Sequence, residues 1–314
     1  MTALTADLDA YLSPRRAVRF EPDDLPMVSA FCAHQRHRNL SPETMRNLLG
    51  RLAMLAERNE GRSLLELDEN DVLETLDSVR GHSGGGLEAG SRKSFIVALN
   101  GFYRWATVFG HLDRNPIDRV PRPREPRRVP RPVTEDDYAL SVIAAETTAM
   151  RLMLVLCGSA GLRCKEVAGL RWDGVNLGEH RSIFVVGKGE HERFVPVDDV
   201  LAMLLEEHQR TSSSEWVFSC PFYGDRLEPG KVSKTVSTYY RRLGFTWTAH
   251  QLRHRFGTEA YEVTRDVRVV QELMGHATPT TTSIYTKVRS TVAREAVAKM
   301  RPAIALEPEV TGRR

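Results

Sequence analysis

The sequence predicts a mainly α-helical protein of two domains, with a small antiparallel sheet in the second. Three observations carry that expectation. The chain has 314 residues, more than one hydrophobic core usually organises. Apolar residues recur at helical spacing on both sides of one Arg- and Pro-rich stretch. A single pair of β-rich runs, 182–186 and 193–197, flanks a Gly-containing turn.

Hydrophobic residues make up 41% and charged residues 27%, the balance of a soluble globular protein. No apolar run approaches the roughly 18 residues of a membrane span, and residues 1–16 lack the apolar stretch of a signal peptide. A cytoplasmic protein with no membrane partner is expected. Cys32, Cys157, Cys164 and Cys220 form no CxxC pair and no zinc pattern with the histidines. Reduced thiols and no bound metal are therefore expected.

Residues 1–20 are weakly patterned and read as a short N-terminal arm, with a helical domain over 21–113. From Asp24 to Arg38, Leu25, Val28, Phe31 and Cys32 recur at helical spacing. Ser41-Pro42 is a helix start, serine as N-cap and proline at the first helical position. Met45, Leu48, Leu52 and Leu55 then trace one face to Arg58. Asp68 can cap a third helix with Val72, Leu73 and Leu76 inward. Gly81–Gly86 reads as a loop, and a fourth helix runs from Gly90 to Phe109 with Phe95, Leu99, Phe102 and Ala106 on one side. Basic residues, Arg92 and Lys93 among them, are scattered over this domain. They read equally as a solvated face or as contacts to DNA phosphates.

Residues 114–131 hold seven arginines and five prolines against Asp118 and Glu125. Such a stretch cannot form a helix and repels itself into an extended strap, so 114–132 is expected to link the domains. Its arginines, Arg122, Arg124, Arg127 and Arg128 included, are candidates for phosphate contact.

The second domain is expected over 133–300, with a tail of 301–314. Thr134-Glu-Asp-Asp137 resembles a capping box, and Leu152–Leu156 a buried helix. Gly161 allows a tight turn before a helix that Arg163 opens, and Arg163 and Glu166, at i,i+3, share its face. The two β-rich runs form a hairpin with Lys188 at its tip. Val200–His208 and Lys231–Leu243 are helical. His250 and Arg253 project together from another helix. Gly275 ends the helix holding Val267, Val270 and Leu273, leaving His276 just past the cap. Thr278-Pro279 starts a last helix with Tyr285 in its second turn.

These polar residues suit one chemistry. Two arginines offer bidentate, permanently charged forks for phosphate oxygens. Histidines add donors or a proton shuttle near neutral pH, and a lysine on a hairpin can protonate a leaving group. Tyrosine is a poor nucleophile at its free pKa of about 10, but arginines and histidines around it support attack on phosphorus. No acidic cluster suited to two-metal hydrolysis and no Walker loop occurs in the sequence. Taken singly, each residue reads as an ordinary surface, hairpin-tip or packing residue; the ordered set is what points to chemistry.

Three segments, Gly161-Leu-Arg163-x-x-Glu166, His250-x-Leu-Arg253-His254 and Leu273-x-Gly275-His276-x(8)-Tyr285, together resemble the tyrosine recombinase, or phage integrase, family over about residues 20 to 300. The resemblance implies an N-terminal four-helix core-binding (SAM-like) domain and a C-terminal α+β catalytic domain of the DNA breaking-rejoining fold. It implies that Tyr285 forms a 3′-phosphotyrosyl link while Arg163 and Arg253 clamp the scissile phosphate. Lys188 is the expected acid for the leaving 5′-oxygen, with Lys165 a nearby competitor for that assignment. His250 is expected to accept or donate a proton, His276 to stabilise the transition state, and Glu166 to orient the arginine or histidine. One phosphodiester-level bond is exchanged for another, so no cofactor is expected.

The partners implied are a double-stranded DNA core-type site and a homotetramer on two duplexes, from a monomer or dimer when free, with an accessory directionality factor as a further candidate. An apolar face at Val292–Met300 reads either as packing on its own domain or as a helix docked into a neighbouring protomer. No separate arm-binding domain is expected at the N-terminus, which matches compact phage integrases and Xer-type recombinases. The long tail and the Arg-Pro strap favour an integrase; Xer-type dimer resolution is the alternative. A relaxing topoisomerase of the same chemistry and a DNA-binding regulator with a dead site are the readings from other classes.

Overall fold

The computed structural model describes residues 8, 11–12, 20–81, 84–124, 131–187, 192–220 and 224–275. Lys188, His276, Tyr285, Arg127, Arg128 and the Val292–Met300 face lie outside the described residues. The chain divides into two compact units, Met1–Arg128 and Val129–Arg314.

The first unit is built on four helices: α1 Asp24–His37, α2 Pro42–Arg58, α3 Glu69–Ser78 and α4 Ala89–Val108. Local chemistry sets their starts. Ser41 accepts from the Thr44 N–H at 3.2 Å with Pro42 behind it, and Asp68 accepts from the N–H groups of Asn70 and Asp71. Phe95, Leu99, Phe102 and Ala106 of α4 are buried, and Phe31 meets Phe102 edge-on at 5.3 Å. Two polar groups are satisfied within this core. The Tyr103 hydroxyl donates to the Leu64 carbonyl at 2.9 Å, and Asp24 accepts from the Ser63 hydroxyl at 2.6 Å.

Two sequence expectations for this unit are corrected. Leu8, Leu12 and Phe20 of the supposed arm are buried in the core; Leu8 and Leu12 stand one helical turn apart, a two-residue signal too short to read as a helix. The strap is not extended from its first residue. Pro116–Arg119 form a 3-10 turn capped by Asn115, whose side chain accepts from the Ile117 N–H at 3.0 Å. Ile117 and Val120 then bury themselves in the same core. Proline at the first position of such a turn loses no needed hydrogen bond, and two apolar side chains outweigh the surrounding charge.

The second unit is mainly helical around a three-stranded antiparallel sheet: α5 Glu135–Ile143, α6 Thr148–Gly158, α7 Cys164–Ala168, β1 Val175–Asn176, β2 Ser182–Val186, β3 Glu192–Pro196, α8 Asp199–Thr211, α9 Pro229–Arg242, α10 Ala249–Thr264 and α11 Val267–Met274. The hairpin pairs Ile183 with Val195 and Val185 with Arg193. Strand β1, two residues long, escapes sequence patterning. Helix α6 is buried along Leu152–Gly158 and forms the floor on which α5, α8 and α10 pack. Gly161 follows it at φ +66°, and a Cβ there would fall 2.3 Å from the Phe256 ring of α10. Glycine is thus required both for the backbone and for the approach of α10. The turn delivers Arg163 to the head of α7. Among the described residues no helix is long and apolar enough to cross a membrane.

Candidate active site

Glu166 is the centre of the site. It lies in the first turn of α7 with its side chain 1% exposed, and three arginines from three elements converge on it. Arg163 donates its backbone N–H to Oε2 and its Nη1 to Oε1, each at 2.8 Å. Arg193, from β3, grips the carboxylate in a fork, Nη1 to Oε1 at 2.7 Å and Nη2 to Oε2 at 2.9 Å. Arg253, from α10, stands 3.9 Å from Oε2. Burial opposes the charge of Glu166, but the bonds and charges of Arg193 and Arg163 outweigh it and hold the carboxyl below its ordinary range.

The same arginines cap the end of α11. Arg193 Nε donates to the Leu273 carbonyl at 3.2 Å, Arg253 Nη2 to Met274, and Arg163 Nη2 to Gly275 at 2.8 Å. These consecutive carbonyls are the unpaired, partially negative end of a helix. Gly275 closes it in the left-handed conformation, φ +59°. Arg193 lies so close that a Cβ on Gly275 would sit 2.7 Å from its Nη1. Arg253 also donates Nη1 to the Gly161 carbonyl, tying α10 to the turn before Arg163.

Three guanidinium charges thus share one carboxylate, and the surplus is positive. Burial first, then Arg163 and Arg193, push Arg253 down to about 10, against the pull of Glu166; it remains charged at neutral pH. A desolvated positive surplus is stabilised by an anion with oxygens for the remaining N–H donors. Arg163 keeps 29% of its side chain open to solvent and spends two of the five donors of a guanidinium on the side-chain bonds above. An anion can therefore reach it.

His250 is exposed in the first turn of α10, its ring 4.4 Å from that of His254. Burial first, then His250 and Arg253, lower the His254 pKa. Arg255 belongs to a separate balanced cluster on α10. It donates to Glu135 and to the Gly158 carbonyl at 2.9 Å, pairs with Glu259 at 2.9 Å, and lies 4.0 Å over the Tyr138 ring.

The structure therefore brings Arg163, Glu166 and Arg253 together and places His250 on the helix of Arg253. The candidate DNA contacts in the first unit are less focused. Arg92 pairs with Asp77 at 2.5 Å, Lys93 is exposed on α4, and Arg122 and Arg124 are exposed after Val120. Sequence reasoning missed Arg193, which stood only as the first residue of a β-rich run. Its alternation was the available signal, since Arg193 breaks the apolar pattern of the strand. Among the described residues, no group of three or more His, Cys, Asp or Glu able to hold a metal ion is found.

The fold is shared with known DNA-acting enzymes. A lambda integrase dimer bound to a COC′ core site superposes with a TM-score of 0.65 at 18% identity, covering 83% of this chain and 98% of that one. XerH recombinase bound to a palindromic difH substrate gives 0.61 at 19% identity, over 88% and 86%. In sequence, the phage integrase family profile matches residues 133–291. Tyrosine recombinase XerA of Pyrococcus horikoshii is 34% identical, over 65% of this chain and 71% of its own length. Tyrosine recombinase XerC of Yersinia pestis is 31% identical over 83% and 89%. The chain belongs to the phage integrase family, the tyrosine recombinases, which are DNA strand-transfer enzymes.

Proposed function

We propose that the protein recombines double-stranded DNA at a specific core site through a 3′-phosphotyrosine at Tyr285, integrating and excising a phage or mobile element. The observation that carries the reading is the positive surplus of Arg163, Arg193 and Arg253 around the single carboxylate of Glu166. A scissile phosphate at Arg163 and Arg253 would supply the missing negative charge, and its extra transition-state charge would be held in a desolvated setting.

In this mechanism the Tyr285 oxygen attacks phosphorus, the P–O5′ bond breaks, and the 5′-oxygen leaves as a hydroxyl protonated by Lys188. His250 takes the phenol proton, and His276 donates to a non-bridging oxygen. Rejoining is the reverse step, with a 5′-hydroxyl from the partner strand attacking the phosphotyrosine. Phosphodiester energy is conserved in the covalent link, so no nucleotide need be hydrolysed. The assembly for strand exchange is a homotetramer on two duplexes, with a directionality factor as a further partner in integration and excision.

The test is a nicked duplex carrying the core sequence that this protein selects from a randomised pool. The expected result is a denaturant-resistant protein–DNA adduct with the wild type and none with Tyr285→Phe. An adduct that persists in Tyr285→Phe would sink the assignment. Xer-type dimer resolution is the second reading, favoured by the identity to XerA and XerC. The genomic position of the selected core decides between them. Copies bounding an inserted element support integration, and a single chromosomal copy supports resolution.

A further inference from the structure

We infer that Arg193 is a positioning residue for DNA cleavage: it locks Glu166 so that the carboxylate aims Arg163, and it fixes the end of α11 through the Leu273 carbonyl. The inference rests on the recombinase reading above and assigns a role to a side chain outside the set that would touch phosphate.

The geometry uses all three nitrogens of the guanidinium. Both terminal nitrogens of Arg193 bind the two oxygens of Glu166, at 2.7 and 2.9 Å, while Nε turns the other way to Leu273 at 3.2 Å. The side chain is only 10% exposed. A planar fork with a lateral donor can span two directions at once; a lysine ammonium is a single point charge and cannot. Three consequences meet at this residue. Glu166 is left with a fixed orientation for the Arg163 Nη1 it accepts at 2.8 Å. The surplus charge is raised by one, which counts most when the scissile phosphate gains charge in the transition state. The exit of α11 is pinned at Gly275, where Arg193 fills the space a Cβ would need. The next residues in sequence are His276 and, nine further on, Tyr285. Arg193 sits on β3, five residues after Lys188 in the sequence. One side chain thus links the strand after the expected acid to the helix before the expected nucleophile.

Without Arg193, the charged and titratable groups facing Glu166 are Arg163 of its own helix start and Arg253 of α10, with the buried thiol of Cys157 on α6 within electrostatic reach of both Arg253 and Glu166. Burial then weighs more heavily against the carboxylate. Glu166 takes up a proton at higher pH than it does now, and Arg163 loses its partner as pH falls.

The experiment uses full-length protein and the selected nicked duplex. It measures the single-turnover rate of adduct formation, the Kd for the uncleaved duplex, and the rate as a function of pH. Arg193→Met is expected to slow adduct formation roughly 10- to 100-fold, the scale of a misplaced catalytic group, while Kd changes less than about twofold. Its rate should gain an acid limb at higher pH than any in the wild type, because the carboxylate has lost the partner that lowers its pKa most. The double variant with Glu166→Gln should be slower than Glu166→Gln alone by clearly less than the full Arg193→Met factor, because part of the effect of Arg193 runs through that carboxylate and part through Leu273. A wild-type rate in Arg193→Met overturns the inference. So does a slowing with no acid limb that multiplies with that of Glu166→Gln. If Arg193→Met does not fold, Arg193→Lys decides: slower cleavage with the acid limb supports the role, and a wild-type rate overturns it. An absence of adduct with the wild type itself fails the Tyr285 assignment, and this inference with it.

Discussion

Two buried arginines stand two residues apart on α10 and live in opposite electrostatic settings. Arg255 is balanced. The Glu135 carboxylate answers its charge, the carboxyl of Glu259, which burial raises to about 7, lies beside it at 2.9 Å, the Gly158 carbonyl takes a further N–H, and Tyr138 covers its face. Arg253 is not balanced. It shares one carboxylate at 3.9 Å with Arg163 and Arg193, and its hydrogen bonds go to neutral carbonyls. The same residue type, equally buried at 4% exposure, closes a structural cluster in one case and lines the proposed anion site in the other. The distinction lies in charge balance rather than burial. A buried ion pair that closes on itself has no use for a ligand, whereas a cluster with net charge is completed by one.

The sharpest way to break the comparison is to remove the shared carboxylate. Glu166→Ala leaves three arginines facing one another without a counter-charge. It is expected to cost about 3–5 kcal/mol of stability, as for breaking a buried pair from one side, and to lower cleavage as well. Urea unfolding checks the first and adduct formation the second. Stability unchanged by Glu166→Ala would mean that the arginines do not need their carboxylate.

Removing the balanced arginine should be a purely structural event. Arg255→Met is expected to lose about 2–3 kcal/mol, the scale of hydrogen bonds to a charged group, with cleavage per folded molecule unchanged. A drop in cleavage without a drop in stability would merge the two clusters into one.

The balanced cluster should also show in the pH dependence of stability. Burial raises Glu259 to about 7, against the pull of Arg255 and with Glu135 and Glu262 adding to it. A carboxyl that holds its proton in the folded state stabilises fully below its ordinary value of 4.5, and that contribution is lost as pH rises to about 7. The expected outcome is a Tm that falls across this window by more in the wild type than in Glu259→Gln. An identical pH profile in the two proteins would contradict the assignment.

The smallest effect belongs to the first unit. Ser41→Ala removes the cap of α2 and should cost about 1 kcal/mol. Cleavage at saturating DNA should not change.

What was legible in the sequence follows from distance along the chain. Helix starts at Ser41, Asp68 and Thr134 depend on neighbours within a turn, and the i,i+3 pairs Arg163–Glu166 and His250–Arg253 are local spacings. The motif of Arg163, His250 and Arg253 therefore points to an anion site before any fold is known, and the proposed function rests on it. The pairing of Arg193 with Glu166 spans 27 positions and that of Arg255 with Glu135 spans 120. No local pattern marks either, because the partners meet only when the hairpin and α5 have docked. Composition misled at the strap. Ile117 and Val120 are two apolar residues among arginines and prolines, and only the neighbouring core decides that they are buried. Leu8, Leu12 and Phe20 were hidden in the same way.

On the proposed function, charge imbalance rather than burial marks the arginine that binds the scissile phosphate. Single-turnover adduct formation by Arg253→Met and Arg255→Met, compared at a temperature where both are folded, tests it most directly. Arg253→Met is expected to be slower by roughly 100-fold or more, the scale of losing one preorganised donor, with Arg255→Met close to wild type. Equal rates in the two variants would contradict it.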